Sequence, residues 1–299
     1  MTAQDYWHYF FPLEFGGIAI LIIGLIRFRQ RLSFSRDGLL PLGSIFVPFA
    51  LAVFGAEHLT SAKNIMQLVP TWMPWRLFWA YFVGFALIAA ALSIVFERYV
   101  RWSSPLLGLL FLLFVVCISV PNLPARVHDR VAWTLTVRDL LFAMGALALA
   151  GTVLGAPRMV SICRVIIALV LIYYAVEHFL HPQFLPGVPL EQQTLPWIPF
   201  RSVFGLIEGA ALLAGGVLLL VDKHARAAAV WAGAVTTVMV ILLYVPLFVA
   251  ARKPLEVITA INYIGDTLLF AGSILLLAAA IPAATATPRR FAAAEASTR

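Results

Sequence analysis

Ten ionisable residues stand inside or at the edges of long apolar runs, and they are where this sequence could do chemistry. They are Glu57, His58, Arg76, Asp139, Glu177, His178, His181, Arg201, Glu208 and Asp266. A charged side chain in hydrocarbon is costly, so each of them implies a partner or a task. Glu57-His58 and Glu177-His178 set a carboxyl beside an imidazole, the pairing that takes up and releases protons near neutral pH. Glu208 lies seven residues past Arg201, ~10 Å along a helix. Asp139 and Asp266 are expected at a comparable depth. Acids, imidazoles and guanidiniums should then gather near one membrane face.

Two kinds of role follow. In the first, the groups line a polar pocket open to the outside, where His and carboxylate exchange protons. A quinone headgroup needs two hydrogen-bond partners and a proton route to water, which such a pocket would supply. Haem is a weaker reading, since a bis-His site needs two imidazoles facing across a bundle. His178 and His181, at i and i+3, are a loose zinc signal, and no metal site is assigned. In the second role the groups only pin helices together: Arg76 with Glu57, Arg201 with Glu177, and Asp139 with Arg138 or a neighbouring helix. Such contacts are worth about 0.5–1 kcal/mol each in membrane bundles.

The elements that must position these groups are set by composition. The 299 residues are 62% hydrophobic and 12% charged, against about a quarter charged in soluble domains. Apolar runs near ~20 residues recur, each long enough to cross ~30 Å of hydrocarbon, and only helices satisfy their own backbone there. The net charge of +7 is read as basic loops on one side of the membrane, not as a nucleic-acid face. Cys117 and Cys163 lie inside apolar runs and form no CxxC pair. No phosphate-binding loop, nucleophile elbow or zinc-protease helix is present. Trp72, Trp75 and Trp197 fit an interfacial aromatic belt.

Nine spans are expected, near 12–28, 43–60, 77–96, 104–121, 133–153, 160–180, 201–221, 227–249 and 258–281. Basic residues after the first run, Arg27 to Arg36, place the N-terminus outside and the C-terminus inside. Internal repetition organises the rest. Glu57-His58 matches Glu177-His178 at an offset of 120, and Trp72-Met73-Pro74-Trp75-Arg76 matches Trp197-Ile198-Pro199-Phe200-Arg201 at 125. Gly84 and Gly209, and Pro121 and Pro246, keep the offset of 125, while Asp139 is paired with Asp266 at 127. The drift is assigned to insertions within 183–193 and near Arg252. The expected division is 1–42, a leading helix and basic loop; 43–154 and 155–282, two four-helix units; and 283–299, a disordered tail. Gly205-x-x-x-Gly209 and Gly151-x-x-x-Gly155 allow close helix contact.

The stretches GAEHLTSAKNIMQLVPTWMPWR, YYAVEHFLHPQFLPGVPL and LPWIPFRSVFGLIEGAALLAGG resemble the DoxX-like family of integral membrane proteins. The resemblance covers nearly all of 44–281 as two copies, the second matching better because Glu208 precedes Gly209 where Val83 precedes Gly84. It implies a four-helix unit and an association with quinone-linked sulfur or thiol oxidation and oxidoreductase complexes. The expectation is an all-α membrane protein of the bacterial inner membrane and not a stand-alone enzyme. It would bind a quinone or another hydrophobic ligand and work beside a redox partner subunit. The alternatives are a small-solute transporter or channel, with a cavity between the units, and a structural or assembly protein with none. A ligand binder should show a cavity near His178 and Glu208.

Overall fold

The computed structural model describes residues 11–283; the expected tail beyond 283 lies outside them. Among the described residues all regular structure is helical, apart from one antiparallel bridge between Phe184 and Gln193. Helix α1 is Phe11–Phe28. A 3₁₀ turn over Asp37–Leu42 leads into α2, Gly43–Thr60. Then come α3 (Arg76–Val95), α4 (Val100–Arg126), α5 (Arg130–Leu154), α6 (Pro157–Leu180), α7 (Arg201–Leu220) and α8 (Ala225–Ala250). Helix α9 is Pro254–Ala280. Among the described residues eight helices, α2 to α9, are long and apolar enough to cross a membrane. Their outer faces carry large exposed apolar side chains such as Phe78, Phe82, Phe85, Leu169 and Ile241, the surface expected against lipid. The chain is a multi-pass helical membrane protein.

Local sequence sets the boundaries. Asp129 caps α5, its Oδ1 accepting from the N–H groups of Val131 at 3.0 Å and Ala132 at 3.3 Å. Gly155, at φ 66°, ends the same helix in the left-handed conformation. Pro157 then opens α6, where its missing N–H costs nothing. In α4 and α8 a proline disturbs the ladder instead. Pro121 and Pro246 lack an N–H, and each ring presses on the carbonyl four residues back. Both helices widen there into a five-residue π turn, Val115–Ser119 and Val240–Tyr244.

Those π turns lie 125 residues apart, and so do other irregularities. Trp75 and Phe200 both have φ 53°; Glu97 and Asp222 have 53° and 55°; Tyr99 and His224 have 59° and 54°. Positive φ is uncommon for such residues, so three pairs at one interval are not a coincidence of local sequence.

Neighbouring helices form a closed circuit from α2 through α9 and back to α2, and α5 touches α9 across its middle. Helix α2 therefore leans chiefly on α3 and α9, not on α5. Helix α1 packs outside the circuit against α2. Loops from alternate helix ends meet on one side: Arg226 bonds Asp37 Oδ1 at 2.9 Å and the Ile281 carbonyl at 2.8 Å, and Arg31 bonds Glu97 at 2.8 Å.

The contacts correct one sequence match. A Cβ on Gly108 would lie 2.6 Å from Leu147 Cγ, and one on Gly233 2.9 Å from Leu275 Cγ. Helices α5 and α9 thus correspond at an interval of 128, not 127. That pairs Arg138 with Asp266 and Asp139 with Thr267. Gly145 and Ser273, also 128 apart, face each other so closely that a Cβ on the glycine would collide with the serine. Matching Asp139 with Asp266 by identity puts α5 and α9 one residue out of register.

Candidate functional site

A cavity of about 350 Å³ lies within α2, α3, α4 and α5 and is closed by α9. One wall is polar: Glu57, His58, Arg138, Asp139, Asn262 and Asp266. The other walls are aromatic and aliphatic, including Phe54, Phe111, Phe114, Phe142 and Val83. The π turn of α4 supplies Ile118 and Ser119, so the proline-driven distortion shapes the cavity directly.

Arg138 organises the polar wall. Its Nη1 donates to Asp266 Oδ2 at 2.7 Å, while Nη2 and Nε donate to Asp139 Oδ1 at 2.9 and 3.0 Å. The guanidinium also lies 5.4 Å from the Phe142 ring centroid. Asn262 donates to Glu57 Oε1 at 3.2 Å. His58 Nδ1 sits 2.8 Å from the Phe54 carbonyl. A carbonyl has no proton to give, so Nδ1 carries it, and Nε2 of the neutral ring is an acceptor. Nε2 makes no hydrogen bond among the described residues, and neither do Asp139 Oδ2, Asp266 Oδ1 or Glu57 Oε2. The lining therefore offers several open acceptors, beside the donors of Ser119 and Asn262 and an Arg138 already engaged by two carboxyl groups.

The corresponding space in the second half is filled by the chain itself. Leu185, Val188 and Leu190 are buried, inserted by the stretch expected to be an insertion. Gly187, at φ 127°, makes the turn at its tip. His178 Nδ1 lies 2.6 Å from the Tyr174 carbonyl, four residues back like His58 and Phe54. Its Nε2 accepts the Gly187 N–H at 3.0 Å, which fixes the tautomer. Thr267, the counterpart of Asp139, donates to the Val188 carbonyl at 3.1 Å. Each histidine abuts the matching glycine: a Cβ on Gly84 would lie 2.9 Å from His58 Cβ, and one on Gly209 3.2 Å from His178 Cβ.

Of the ten residues singled out by sequence, Glu57, His58, Asp139 and Asp266 meet at the cavity. His178 is closed in beneath the plug. Glu208, the counterpart of Val83, is buried on α7: Thr236 Oγ1 donates to its Oε1 at 2.5 Å, and its Oε2 is buried without a hydrogen-bond partner among the described residues. The cavity expected near His178 and Glu208 is thus found at their counterparts, His58 and Val83. The expected pairs Arg76–Glu57 and Arg201–Glu177 do not form. Arg76 Nε donates to the Val69 carbonyl at 2.9 Å, Arg201 is exposed, and Glu177 pairs with Arg130 at 3.6 Å. His181 packs edge-on to Phe184, ring centroids 6.1 Å apart. Sequence reasoning missed the central part of Arg138 and the contribution of Asn262. Arg138 carried a signal, a guanidinium in mid-span beside a carboxyl.

Among the described residues no three His, Cys, Asp or Glu side chains are grouped to hold a metal ion. No family model matches the chain, and neither a curated protein nor a solved structure matches it.

Proposed function

We propose that this chain is a DoxX-like integral membrane protein that binds a small, hydrogen-bond-donating molecule of hydroquinone type beside His58. One observation carries the reading: His58 Nε2 is an unengaged acceptor at a cavity, where the counterpart nitrogen of His178 receives an N–H from the plug. The plug is a template for the ligand. It brings a donor to the imidazole, a polar group to position 267 and apolar side chains to the walls.

The donor set decides between the two oxidation states of a quinone. A hydroquinone brings two O–H donors, which His58 Nε2 and the free oxygens of Asp139 or Glu57 would accept. The oxidised form brings only carbonyl acceptors, for which the lining has only the donors left on Ser119, Asn262 and Arg138. The volume falls in the range of small-molecule sites and suits a single-ring headgroup. When bound, a hydroquinone supplies electrons and protons together. The chain's own part is to hold the two O–H groups, keep lipid out with Phe111, Phe114 and Phe142, and accept hydrogen bonds at His58 and Asp139. A partner subunit receiving electrons belongs to this reading.

The reading includes nine spans, with α1 added to the eight, and two tandem four-helix units over 43–154 and 155–282. The paired π turns and positive-φ residues support duplication. Arg27, Arg98, Arg158 and Lys223 occupy the same set of helix ends, which supports a bacterial inner membrane with that side cytoplasmic and the N-terminus outside.

The test is equilibrium binding of a short-tailed hydroquinone and of its oxidised quinone to the purified protein. The hydroquinone should bind about tenfold more tightly, the effect of roughly one hydrogen bond. His58→Phe and Asp139→Leu should each remove that preference. Equal binding of both forms, or no binding of either, rejects the reading.

A further inference from the structure

A second cavity, of about 1070 Å³, opens between α3 and α4 on the side away from the polar wall. It lies where the two halves differ. In α7 and α8, Gly215 lies against Ala232: a Cβ on the glycine would be 3.0 Å from the alanine Cβ. The residues 125 positions earlier are Ala90 and Leu107. Both are larger, both line the cavity, and α3 and α4 stand apart where α7 and α8 close.

The groove has a direction. Its walls run from Phe82 to Phe96 on α3 and from Tyr99 to Leu113 on α4, ~21 Å of helix. Half of a ~30 Å hydrocarbon core is ~15 Å, so the groove extends through one leaflet to the headgroup level. Its length is apolar, with Leu92, Leu106, Leu109 and Trp102 in the walls. Cationic groups line only one end. Arg27 lies over the Phe96 ring at 5.5 Å, and the Arg98 side chain makes no ion pair or hydrogen bond among the described residues. The acid there, Glu97, is held by Arg31 at 2.8 Å and lies 3.9 Å from Arg27. Ser93 and Ser103 hydroxyls, 2.6 Å apart, add polar groups at the same end.

We infer that this groove binds one anionic phospholipid, with its acyl chains along α3 and α4 and its phosphate at Arg27 and Arg98. An apolar channel one leaflet long with an excess of guanidinium at one end has the chemistry of that occupant. Basic pockets between membrane helices hold anionic headgroups in this way.

The experiment is native mass spectrometry of the full chain taken from vesicles of phosphatidylcholine alone or mixed with phosphatidylglycerol. One phosphatidylglycerol should stay bound in preference to phosphatidylcholine. Arg27→Gln and Arg98→Gln should each lower its retention about fivefold. Leu106→Trp, a substitution at an exposed groove wall, should expel the lipid with the charges intact and serves if the arginine variants fold poorly. Equal retention of the two lipids, unchanged retention in the variants, or a dimer that excludes lipid overturns the inference.

Discussion

Arg138 and Asp266 occupy corresponding positions in the two halves of the chain and bind each other at 2.7 Å. Residues at one repeat interval that touch lie near the axis of the proposed duplication, and Gly145 and Ser273 mark the same line deeper in α5 and α9. One guanidinium there faces the carboxyl groups of Asp139 and Asp266. Arg138→Gln leaves both acids enclosed without a cation. Breaking an enclosed ion pair from one side costs about 3–5 kcal/mol, and a loss of that order is expected in thermal unfolding in detergent. Replacing the network together, as Arg138→Met with Asp139→Leu and Asp266→Leu, should recover most of the stability while abolishing hydroquinone binding. A triple variant no more stable than Arg138→Gln would show that the network holds the fold through more than charge pairing.

Gly84 lets α3 approach α2 closely enough to hold His58. A Cβ there would stand 2.9 Å from His58 Cβ and 3.0 Å from the Gly55 carbonyl, and the carbonyl cannot yield. Gly84→Ala should destabilise by about 1–3 kcal/mol, the range for overpacking. It should also weaken ligand binding, since His58 must move. At Gly209 the nearest contacts are longer and none is a carbonyl, the Phe179 ring at 3.0 Å and His178 Cβ at 3.2 Å, so Gly209→Ala should cost less. Unfolding midpoints of the two variants check the order.

Much of the architecture was legible because apolar length and proline position are local properties. The helix ends at Asp129, Gly155 and Pro157 follow from single residues; Pro121 and Pro246 match in sequence as a pair, but the π turns before them are seen only in the structure. The site was legible only in kind. Glu57, His58, Asp139 and Asp266 were picked out because charge is rare in an apolar run. Which half keeps a cavity depends on where a loop goes, and residues 185–190 carry no periodicity that says they fold inward. From sequence Arg138 reads only as a neighbour of Asp139, since its reach to Asp266 spans two helices far apart in sequence. The Asp139–Asp266 match failed because residue identity outweighed register.

Glu208 is a carboxyl within a span, yet it faces Thr236 and leaves Oε2 buried without a hydrogen-bond partner among the described residues. Thr236 Oγ1 also contacts the Ala232 carbonyl at 3.1 Å, so it keeps a partner if the acid is lost. Glu208→Leu removes an unsatisfied buried oxygen, a group that costs about 1–3 kcal/mol. The variant should unfold at least as high as the parent and should bind hydroquinone unchanged, because the His58 cavity lies in the other half. A large loss of binding in this variant would move the site to the second half.

The plug over His178 depends on one residue. Gly187 adopts φ 127°, and a Cβ there would lie 2.6 Å from Thr267 Cγ2 and 2.9 Å from the Tyr244 hydroxyl. Gly187→Ala therefore meets both backbone strain and collision. The plug should leave its seat, withdrawing the N–H from His178 Nε2 and exposing Leu185, Val188 and Leu190, now buried. A cysteine at Leu185, with Cys117 and Cys163 replaced by alanine, should resist a hydrophilic maleimide in the parent and react in Gly187→Ala. With its acceptor uncovered, the second half should then gain a hydroquinone site, so binding should rise from one equivalent to two. Labelling without a second equivalent would mean that position 267 needs a carboxyl like that of Asp139, a point that Thr267→Asp in the same background decides.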